Sequence, residues 1–414
     1  MRTTRAHRRI ANGLLAAGLS VASLSIPGLA QAGGRPAAAT PPTLRGWGLN
    51  KDFGLGTGST SAHSLVPVKV KLPKGVSVTS VSSGCDFAVA LTKTGGVLSW
   101  GDNTYGQLGD GTKKTRPVPV PVKLPKGTVV TAVRAGCDHA IALTKAGTVL
   151  SWGTGLNDQL GNGGKKNSGV PVPAKLPKGT KVKAISAGCQ HSLVVTARGK
   201  VYAWGLNSAG QLGDGTMKPR RNPIPVKLPA GTVATAVSTG CSFSFALTNK
   251  GLFGWGNNGA GQLGDPGLGT HPRPELITFL FRGSGPGSIV QVFGGCNFTV
   301  ALFSKGAVLA WGDDSVGELG DGGNMGSALP VSVMLPAGVH VHSVSAGCTN
   351  GYAQTRDGSV YAWGAGDSGE LGNGGKSESS TPVKVKLAAT VNPKAIGSGP
   401  ASFSAFAITI KATA

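Results

Sequence analysis

The sequence predicts an all-β fold, a seven-bladed β-propeller of four-stranded antiparallel blades. Three observations predict it: an even repeat, four strand-like runs in each repeat, and chain ends that stop inside a repeat. A period near 52 residues is typical of one supersecondary unit repeated along a chain. Every tryptophan occurs in a Trp-Gly dipeptide, at steps of 51 to 56 residues: Trp47, Trp100, Trp152, Trp204, Trp255, Trp311 and Trp363.

One repeat, from Trp100 to Trp152, shows how residues define the strands. A polar loop follows Trp100, and Pro117–Lys123 then alternates proline with valine before three further runs rich in β-branched residues. The runs are short, separated by Gly and Pro turns, and lack helical periodicity. Prolines spaced by two remove backbone donors from one edge only, which favours the outermost strand of a blade.

The two chain ends predict that the ring is closed by a shared blade. Thr43–Gly48 reads as a third strand and Val66–Leu72 as an outer strand, whereas Pro393–Ser398 and Phe403–Ile410 read as an inner and a second strand. Together they make one four-stranded blade, which leaves no open sheet face.

The loop after each Trp-Gly carries two further predictions. A leucine in its Gly-Gln-Leu-Gly segment, such as Leu108, is expected to fill the space between neighbouring blades. The second residue beyond Trp-Gly is expected to adopt positive φ, since Asn, Asp and Gly tolerate it. The spacing of a calcium-binding loop is missing, so a turn is favoured over a calcium site. The residues concerned are Asn50, Asn103, Gly155, Asn207, Asn258, Asp314 and Gly366.

The N-terminal segment differs from the repeats. Four arginines precede an Ala- and Leu-rich stretch that ends at Ala30-Gln31-Ala32, a pattern that predicts a secretory signal peptide over 1–32. A Pro/Ala linker over 33–42 and a propeller over 43–414 complete the expected domains. Sec and twin-arginine export both remain open. No stretch in the expected mature chain has the length of a membrane span.

The net charge is +23, and removing the four arginines of the expected signal leaves +19 (23 − 4). Such a charge indicates affinity for anions, such as wall polymers, acidic polysaccharides, phospholipid surfaces or nucleic acid. A solubilising surface without an anionic partner is the alternative.

The repeats resemble the regulator of chromosome condensation repeat family. Trp204–Gly213, Ala187–Val194 and Asp357–Tyr361 carry its motifs, and the match extends from Thr43 to the C-terminus. The resemblance implies a seven-bladed propeller, here in an exported bacterial member. Members include a nucleotide-exchange factor that docks on chromatin, a plant ultraviolet receptor and ubiquitin-ligase domains, so the fold does not choose a function. The extra tryptophans of the receptor are absent here.

Six cysteines occupy one repeat position, so they are expected to form a ring around the propeller axis. A secreted chain with an even count permits disulfides between adjacent blades, but equivalent positions on adjacent blades are expected near or beyond the bridging limit of about 7 Å. Buried free thiols are therefore favoured, and a metal ring is not. The residues are Cys85, Cys137, Cys189, Cys241, Cys296 and Cys348.

The remaining candidates are residues that break the sevenfold symmetry. Phe279, Phe281 and Arg282 lie in the longest repeat, and Arg220 and Arg221 form a basic pair suited to anions. These five are the candidate binding residues. His139 and His191 are expected to pack, with a backbone carbonyl as the candidate hydrogen-bond partner, because other repeats place phenylalanine there.

No catalytic residue, metal ligand or cofactor is expected. The sequence predicts a secreted, monomeric binding platform that recognises a protein or an anionic cell-surface polymer through loops on one face, with nucleic acid not excluded by charge. Two alternatives stay open. One is a secreted hydrolase or lyase with a pocket at the channel mouth, and the other is a nucleotide-exchange or chromatin-type regulator.

Overall fold

The computed structural model describes residues 42–278 and 285–411, and these form seven four-stranded antiparallel sheets arranged as a propeller. The predicted fold class is confirmed. The expected signal peptide and nearly all of the expected linker lie outside the described residues. Among the described residues, no helix has the length and hydrophobicity needed to cross a bilayer.

Six blades are continuous in sequence, and each contains four successive strands ordered from the axis outwards. Blade 1 contains β3 (Val78–Ser83), β4 (Phe87–Thr92), β5 (Val97–Gly101) and β6 (Arg116–Pro121); blade 2 contains β7 (Val130–Ala135), β8 (His139–Thr144), β9 (Val149–Gly153) and β10 (Ser168–Pro173); blade 3 contains β11 (Val182–Ala187), β12 (His191–Thr196), β13 (Val201–Gly205) and β14 (Arg220–Pro225). Blade 4 contains β15 (Ala234–Thr239), β16 (Phe243–Thr248), β17 (Gly251–Asn257) and β18 (Thr270–Leu276); blade 5 contains β19 (Ile289–Gly294), β20 (Phe298–Phe303), β21 (Val308–Gly312) and β22 (Ser327–Ser332); blade 6 contains β23 (Val341–Ala346), β24 (Asn350–Thr355), β25 (Val360–Gly364) and β26 (Ser379–Lys384).

Blade 7 combines strands from both ends of the chain. It contains β27 (Val391–Gly397), β28 (Ser404–Lys411), β1 (Thr43–Leu49) and β2 (His63–Lys69). A 3-10 turn at Lys51–Phe53 follows β1. Strands β1 and β28 pair antiparallel, with Thr43 opposite Thr409. The ring is therefore closed by strands from both ends, as the sequence indicates.

The tryptophans join each blade to its neighbour. All seven side chains are fully buried, and each indole Nε1 donates to a carbonyl in the preceding blade's loop, at 2.8 to 3.0 Å. Leu108, also fully buried, packs with Trp152 and residues of blades 1 and 2. The leucine prediction is confirmed, and the seven hydrophobic clusters lie between blades.

The positive-φ prediction for the loop residue is wrong. Asn50 has φ −122°, and none of the seven positions has positive φ. The glycine of each Trp-Gly takes that conformation instead, with φ between 95° and 112°. The asparagine side chain points inward and fastens the loop: Asn103 Oδ1 accepts from the Leu108 amide, and its Nδ2 donates to the carbonyls of Thr112 and Lys114, each at 3.1 Å or less.

Successive strands of each blade run in opposite directions, so successive turns lie on opposite faces of the ring, and the two faces differ chemically. The hairpin face carries the turn between the second and third strands of each blade and the turn that precedes each inner strand. The loop face carries the Gly-Cys turns and the long loops after Trp-Gly. The two turns of the hairpin face meet across blades, since the Val130 amide donates to the Gly95 carbonyl at 2.9 Å.

Candidate functional site

The cysteines form three disulfides, so the free-thiol prediction is wrong. The pairs are Cys85–Cys137, Cys189–Cys241 and Cys296–Cys348, with Cα–Cα distances of 4.5 to 4.7 Å. They join blades 1 and 2, 3 and 4, and 5 and 6. Blade 7 places Pro400 at the equivalent position, and its carbonyl oxygen lies 3.3 Å from Cys241 Sγ. The Gly-Cys turns therefore narrow the loop-face end of the channel.

The glycine before each cysteine explains the short distances. A Cβ at Gly84 would lie 2.4 Å from the Gly136 carbonyl oxygen, which is closer than any side chain permits. Without side chains here, adjacent backbones approach to hydrogen-bonding distance, and the Cys85 amide donates to the Cys137 carbonyl at 3.1 Å. The free-thiol prediction failed because it assumed the larger Cα–Cα distance that adjacent blades have when their turns carry side chains.

His139 and His191 have packing roles, as expected, but their partner differs. His139 Nε2 lies 3.0 Å from the Ser192 hydroxyl, and His191 Nε2 lies 2.9 Å from the Ser244 hydroxyl, in each case in the next blade. Burial lowers the pKa of both imidazoles to about 3. Neutral, buried rings at blade interfaces are structural.

The hairpin face is strongly basic. Of the chain's 17 Asp and Glu residues, one, Asp357, lies in its turns. The Lys and Arg side chains that the structure describes in these turns are all exposed: Lys74, Lys93, Lys126, Lys145, Lys178, Lys181, Arg198, Lys200, Lys250, Lys305 and Arg356. A face with this imbalance concentrates positive potential over its surface.

These charges are concentrated on one side of the ring. The eight from Lys74 to Lys200 belong to the turns of blades 1 to 3 and define the basic arc. Later turns place Ala230, Ala337 and Ala389 where the arc has lysine. Two more cations stand on inner strands of the same blades: Lys183 is exposed, and Arg134 donates to the Val133 carbonyl at 2.8 Å.

A group of carboxylates lies on the loop face near the first disulfide. Burial, together with Asp102 and Asp86, raises the pKa of Asp138 to about 6. Lys51 Nζ lies 3.4 Å from Asp86 Oδ2, and Asp102 Oδ2 accepts from Gln107 Nε2 at 2.7 Å. Asp86 and Asp102 are engaged in these loop contacts, and the hydrolase alternative, which requires a cluster of carboxylates or histidines on one face, stays a prediction.

The candidate arginines form ion pairs in the structure. Arg220 Nε donates to Asp214 Oδ2 at 2.8 Å, and Arg221 Nε lies 3.4 Å from Asp158 Oδ1. Both side chains stay partly exposed and line a shallow cleft with Lys165. This cleft lies on the outer strand, away from the basic arc. The other candidates, Phe279, Phe281 and Arg282, lie outside the described residues.

Within residues 42–278 and 285–411, one group of three potential metal ligands occurs, and it lies on blade 4. Asp265, His271 and Glu275 bring one ligand atom each within 4.8 Å of the others. Both ring nitrogens of His271 are engaged, Nδ1 with Glu275 Oε2 at 2.9 Å and Nε2 with the Gly267 carbonyl at 2.8 Å. These contacts raise the pKa of His271 against the effect of burial. The group is an ion pair of the outer strand.

The basic arc was missed because its residues belong to turns. In Leu-Pro-Lys-Gly and in the hairpin segments, lysine stands beside the glycine and proline that define the turn, so these segments indicate turns rather than a binding surface. The available signal was the recurrence of Lys74, Lys126 and Lys178 at one repeat position.

Known proteins match this chain along most of its length. Residues 164–405 match the RCC1-like domain, and residues 46–91, 78–107 and 94–143 match the regulator of chromosome condensation (RCC1) repeat. The ultraviolet-B receptor UVR8 of Arabidopsis thaliana is 33% identical over 330 residues, which cover 79% of this chain and 74% of the receptor.

Two further relatives agree. The human regulator of chromosome condensation is 32% identical over 354 residues, covering 80% of this chain and 82% of that protein. The structure of yeast RCC1 (Prp20) bound to Kap60 superposes with a TM-score of 0.80 at 21% identity, covering 95% and 97% of the two chains; it bears on the fold alone. All three relatives are eukaryotic, so the expected exported bacterial origin stays a prediction.

Proposed function

We propose, from the premise that this chain belongs to the regulator of chromosome condensation (RCC1) repeat family, that it is an exported binding platform whose hairpin face recognises an anionic cell-surface polymer. The observation that carries the proposal is the basic arc, eight exposed Lys and Arg side chains on three adjacent blades. The names of its relatives, a receptor and a regulator, support a binding or regulatory role.

The distribution of charge supports a polymer as the ligand. Arc residues stand in successive turns, so their charges are spread along a curve and match a ligand with repeated negative groups. Cation-rich surfaces bind such ligands largely through electrostatic attraction and release of counterions. Lys183 and Arg134 extend the positive region from the turns toward the axis.

The rigidity of the ring supports the same role. Each arc turn is joined to the next blade by main-chain hydrogen bonds, as between the Val182 amide and the Gly147 carbonyl at 3.0 Å. Lys181 Nζ also donates to the Ala146 carbonyl at 3.0 Å. A surface that is ordered before binding loses less conformational entropy when the ligand binds.

Charge reversal in the arc tests this function. We expect Lys126→Glu/Lys178→Glu to weaken binding to heparin, used as a model sulfated polysaccharide, by roughly 10-fold or more at moderate salt, because both contacts become repulsive. Titration calorimetry at several NaCl concentrations measures the affinity, and the salt dependence of the variant should be shallower than that of the wild type.

The matched control is Lys113→Glu/Lys114→Glu. It changes the net charge equally, and both lysines are exposed in a loop of the opposite face. The control should bind within about twofold of the wild type, since exposed charges beyond a Debye length are screened. If both double variants lost the same affinity for heparin, the loss would reflect net charge and not the basic arc. A wild type that does not bind heparin would contradict the proposal.

Export is the second part of the proposal. It is supported by the arginines and the apolar stretch before Ala32, which match the form of a secretory signal. Expression in a bacterial host with N-terminal sequencing of the protein from the medium should return a chain that begins at Gly33. Retention of an intact Met1 end in the cell fraction would contradict it.

A further inference from the structure

The loop after β21 in blade 5 differs from its counterparts in chemistry while keeping their length. Asp313–Ser327 aligns without gaps with Asp102–Arg116 of blade 1. Each loop starts from a Trp-Gly and carries the same leucine between blades, with Leu319 and Leu108 both fully buried. Blade 1 is therefore an internal reference for blade 5.

In the reference loop, the side-chain amide of one asparagine donates hydrogen bonds to several acceptors. Asn103 is fully buried, and its Nδ2 donates to the carbonyls of Thr112 and Lys114 and to Asp110 Oδ1, at 3.1 to 3.2 Å. Asn207 makes the same set of bonds in blade 3. A positive partial charge at this point is part of how the loop closes.

Blade 5 replaces that amide with a carboxylate, Asp314. Its Oδ1 keeps the role of the amide oxygen and accepts from the Leu319 amide at 2.8 Å. Its Oδ2 takes the place of the donating nitrogen and is fully buried with the rest of the side chain. No group among the described residues makes a well-formed hydrogen bond to this oxygen, and the Met325 amide is the one further main-chain donor near the carboxylate. Burying a carboxylate oxygen without a partner is costly unless a positive charge joins it.

A second carboxylate, Asp321, lies on the same side of the loop, where its Oδ1 accepts from the Gly323 amide at 2.9 Å. A Cβ built on Gly323 would lie 3.2 Å from Asp321 Oδ1 and 4.0 Å from Asp314 Oδ2, so both groups face this glycine. Gly323 occupies the position of Thr112, and it leaves space between them. In blade 1 the counterpart of Asp321 pairs with Arg116 at 2.7 Å, but blade 5 has Ser327 there.

The loop around Asp314 has an excess of negative charge. Asp313 and Glu318 bring the loop to four carboxylates, and the sequence contains no Lys or Arg between Lys305 and Arg356. That is a stretch of 50 residues in a chain with 40 Lys and Arg. Burial, with Asp321 and Asp313 nearby, raises the pKa of Asp314 to about 6, although the Leu319 and Met325 amides lower it in part.

We propose that the loop after β21 binds a calcium ion through Asp314 Oδ2, with Asp321 and main-chain oxygens of residues 321–325 as further ligands. Ca²⁺ accepts carboxylate and carbonyl oxygens with flexible geometry at 2.3–2.6 Å. In the reference loop, the carbonyl oxygens of Thr112 and Lys114 surround the amide nitrogen of Asn103, and the ion would take the place of that nitrogen in blade 5.

Replacing Asp314 by asparagine, the residue at the equivalent position of blades 1 and 3, tests the proposal. In EDTA-treated protein at pH 7.5, adding 10 mM CaCl₂ should raise the thermal midpoint of the wild type by about 2–5 °C, for a dissociation constant of roughly 10⁻⁴–10⁻³ M. Asp314→Asn should show no shift with CaCl₂. Its midpoint in EDTA should equal or exceed that of the wild type, because the amide restores the missing donor.

Terbium luminescence gives a second readout of the same site. Trp363 Nε1 donates to the Glu318 carbonyl at 2.8 Å, so this indole adjoins the loop. Tb³⁺ added as TbCl₃ should luminesce on tryptophan excitation in the wild type, lose the signal on addition of Ca²⁺, and give none in Asp314→Asn.

Two controls keep the outcome unambiguous. Asp367→Asn removes an exposed charge from the next loop on the same face and should keep the CaCl₂ response. NaCl at matched ionic strength should give no shift. A wild type that does not respond to 10 mM CaCl₂, a full response in Asp314→Asn, or an equal response to NaCl would each overturn the site.

Discussion

Reduction of the three disulfides is expected to lower the free energy of unfolding more than any other change proposed for this protein. Each bridge spans 52 residues of sequence, and a closed loop of that length restricts the unfolded chain by about 4 kcal/mol in the chain-entropy treatment. A paired Cys85→Ser/Cys137→Ser variant should lose about this amount. Guanidinium unfolding, followed by tryptophan fluorescence, measures it.

The other pairs provide matched controls. Cys189→Ser/Cys241→Ser removes a bridge that closes a loop of the same length, so this variant should lose a similar free energy of unfolding. Thiol titration of unreduced, denatured wild-type protein should find no free cysteine. Six titratable thiols, or an unchanged unfolding midpoint in 10 mM reductant, would restore the free-thiol interpretation.

A rise in pH is expected to destabilise the metal-free protein through Glu318. This side chain is 2% exposed, and burial raises its pKa from 4.5 to about 7. The folded state therefore retains a proton that the unfolded chain releases, so the stability is unaffected below about pH 4.5 and decreases as the pH rises to 7. Glu318→Gln should be more stable by about 2–3 kcal/mol at pH 8, and the difference should vanish near pH 4.

The reference position explains why glutamine is the appropriate substitute. Gln107 Oε1 accepts from the Tyr105 amide at 2.9 Å, as Glu318 Oε2 does from Val316, but Gln107 Nε2 also donates to Asp102. Denaturant unfolding in EDTA from pH 4 to 8 measures the difference. Glu378→Gln, at an exposed position, is the control and should follow the wild type; a pH-independent Glu318→Gln curve would contradict the prediction.

The architecture could be predicted because each motif of the repeat determines a strand or turn close to it in sequence. Trp-Gly dipeptides, paired prolines and turn glycines recur at fixed offsets, and each reports on its own strand or turn. The two ends of the chain could be assigned to one blade because each matches a known part of the repeat, and β1 pairs with β28 accordingly. Strand order and blade number then follow from the sequence.

The candidate site could be predicted only in part. The positive charge was anticipated, but Arg220 and Arg221 were chosen as an isolated pair, and the structure joins them to Asp214 and Asp158. The basic arc depends on turns from three blades meeting on one face. Which turns share a face depends on the direction of each strand in the folded ring, so the basic arc is recognised only in the tertiary structure.

The sequence by itself determined the number of blades, the order of strands and the shared blade. Only the tertiary structure decided which cysteines pair, which face is basic and that Asp314 buries an unpartnered oxygen. Strand and turn identity depends on residues close in sequence, whereas disulfides, surface potential and desolvation depend on distances between blades. Those distances depend on how closely glycine turns let neighbouring backbones approach at the axis.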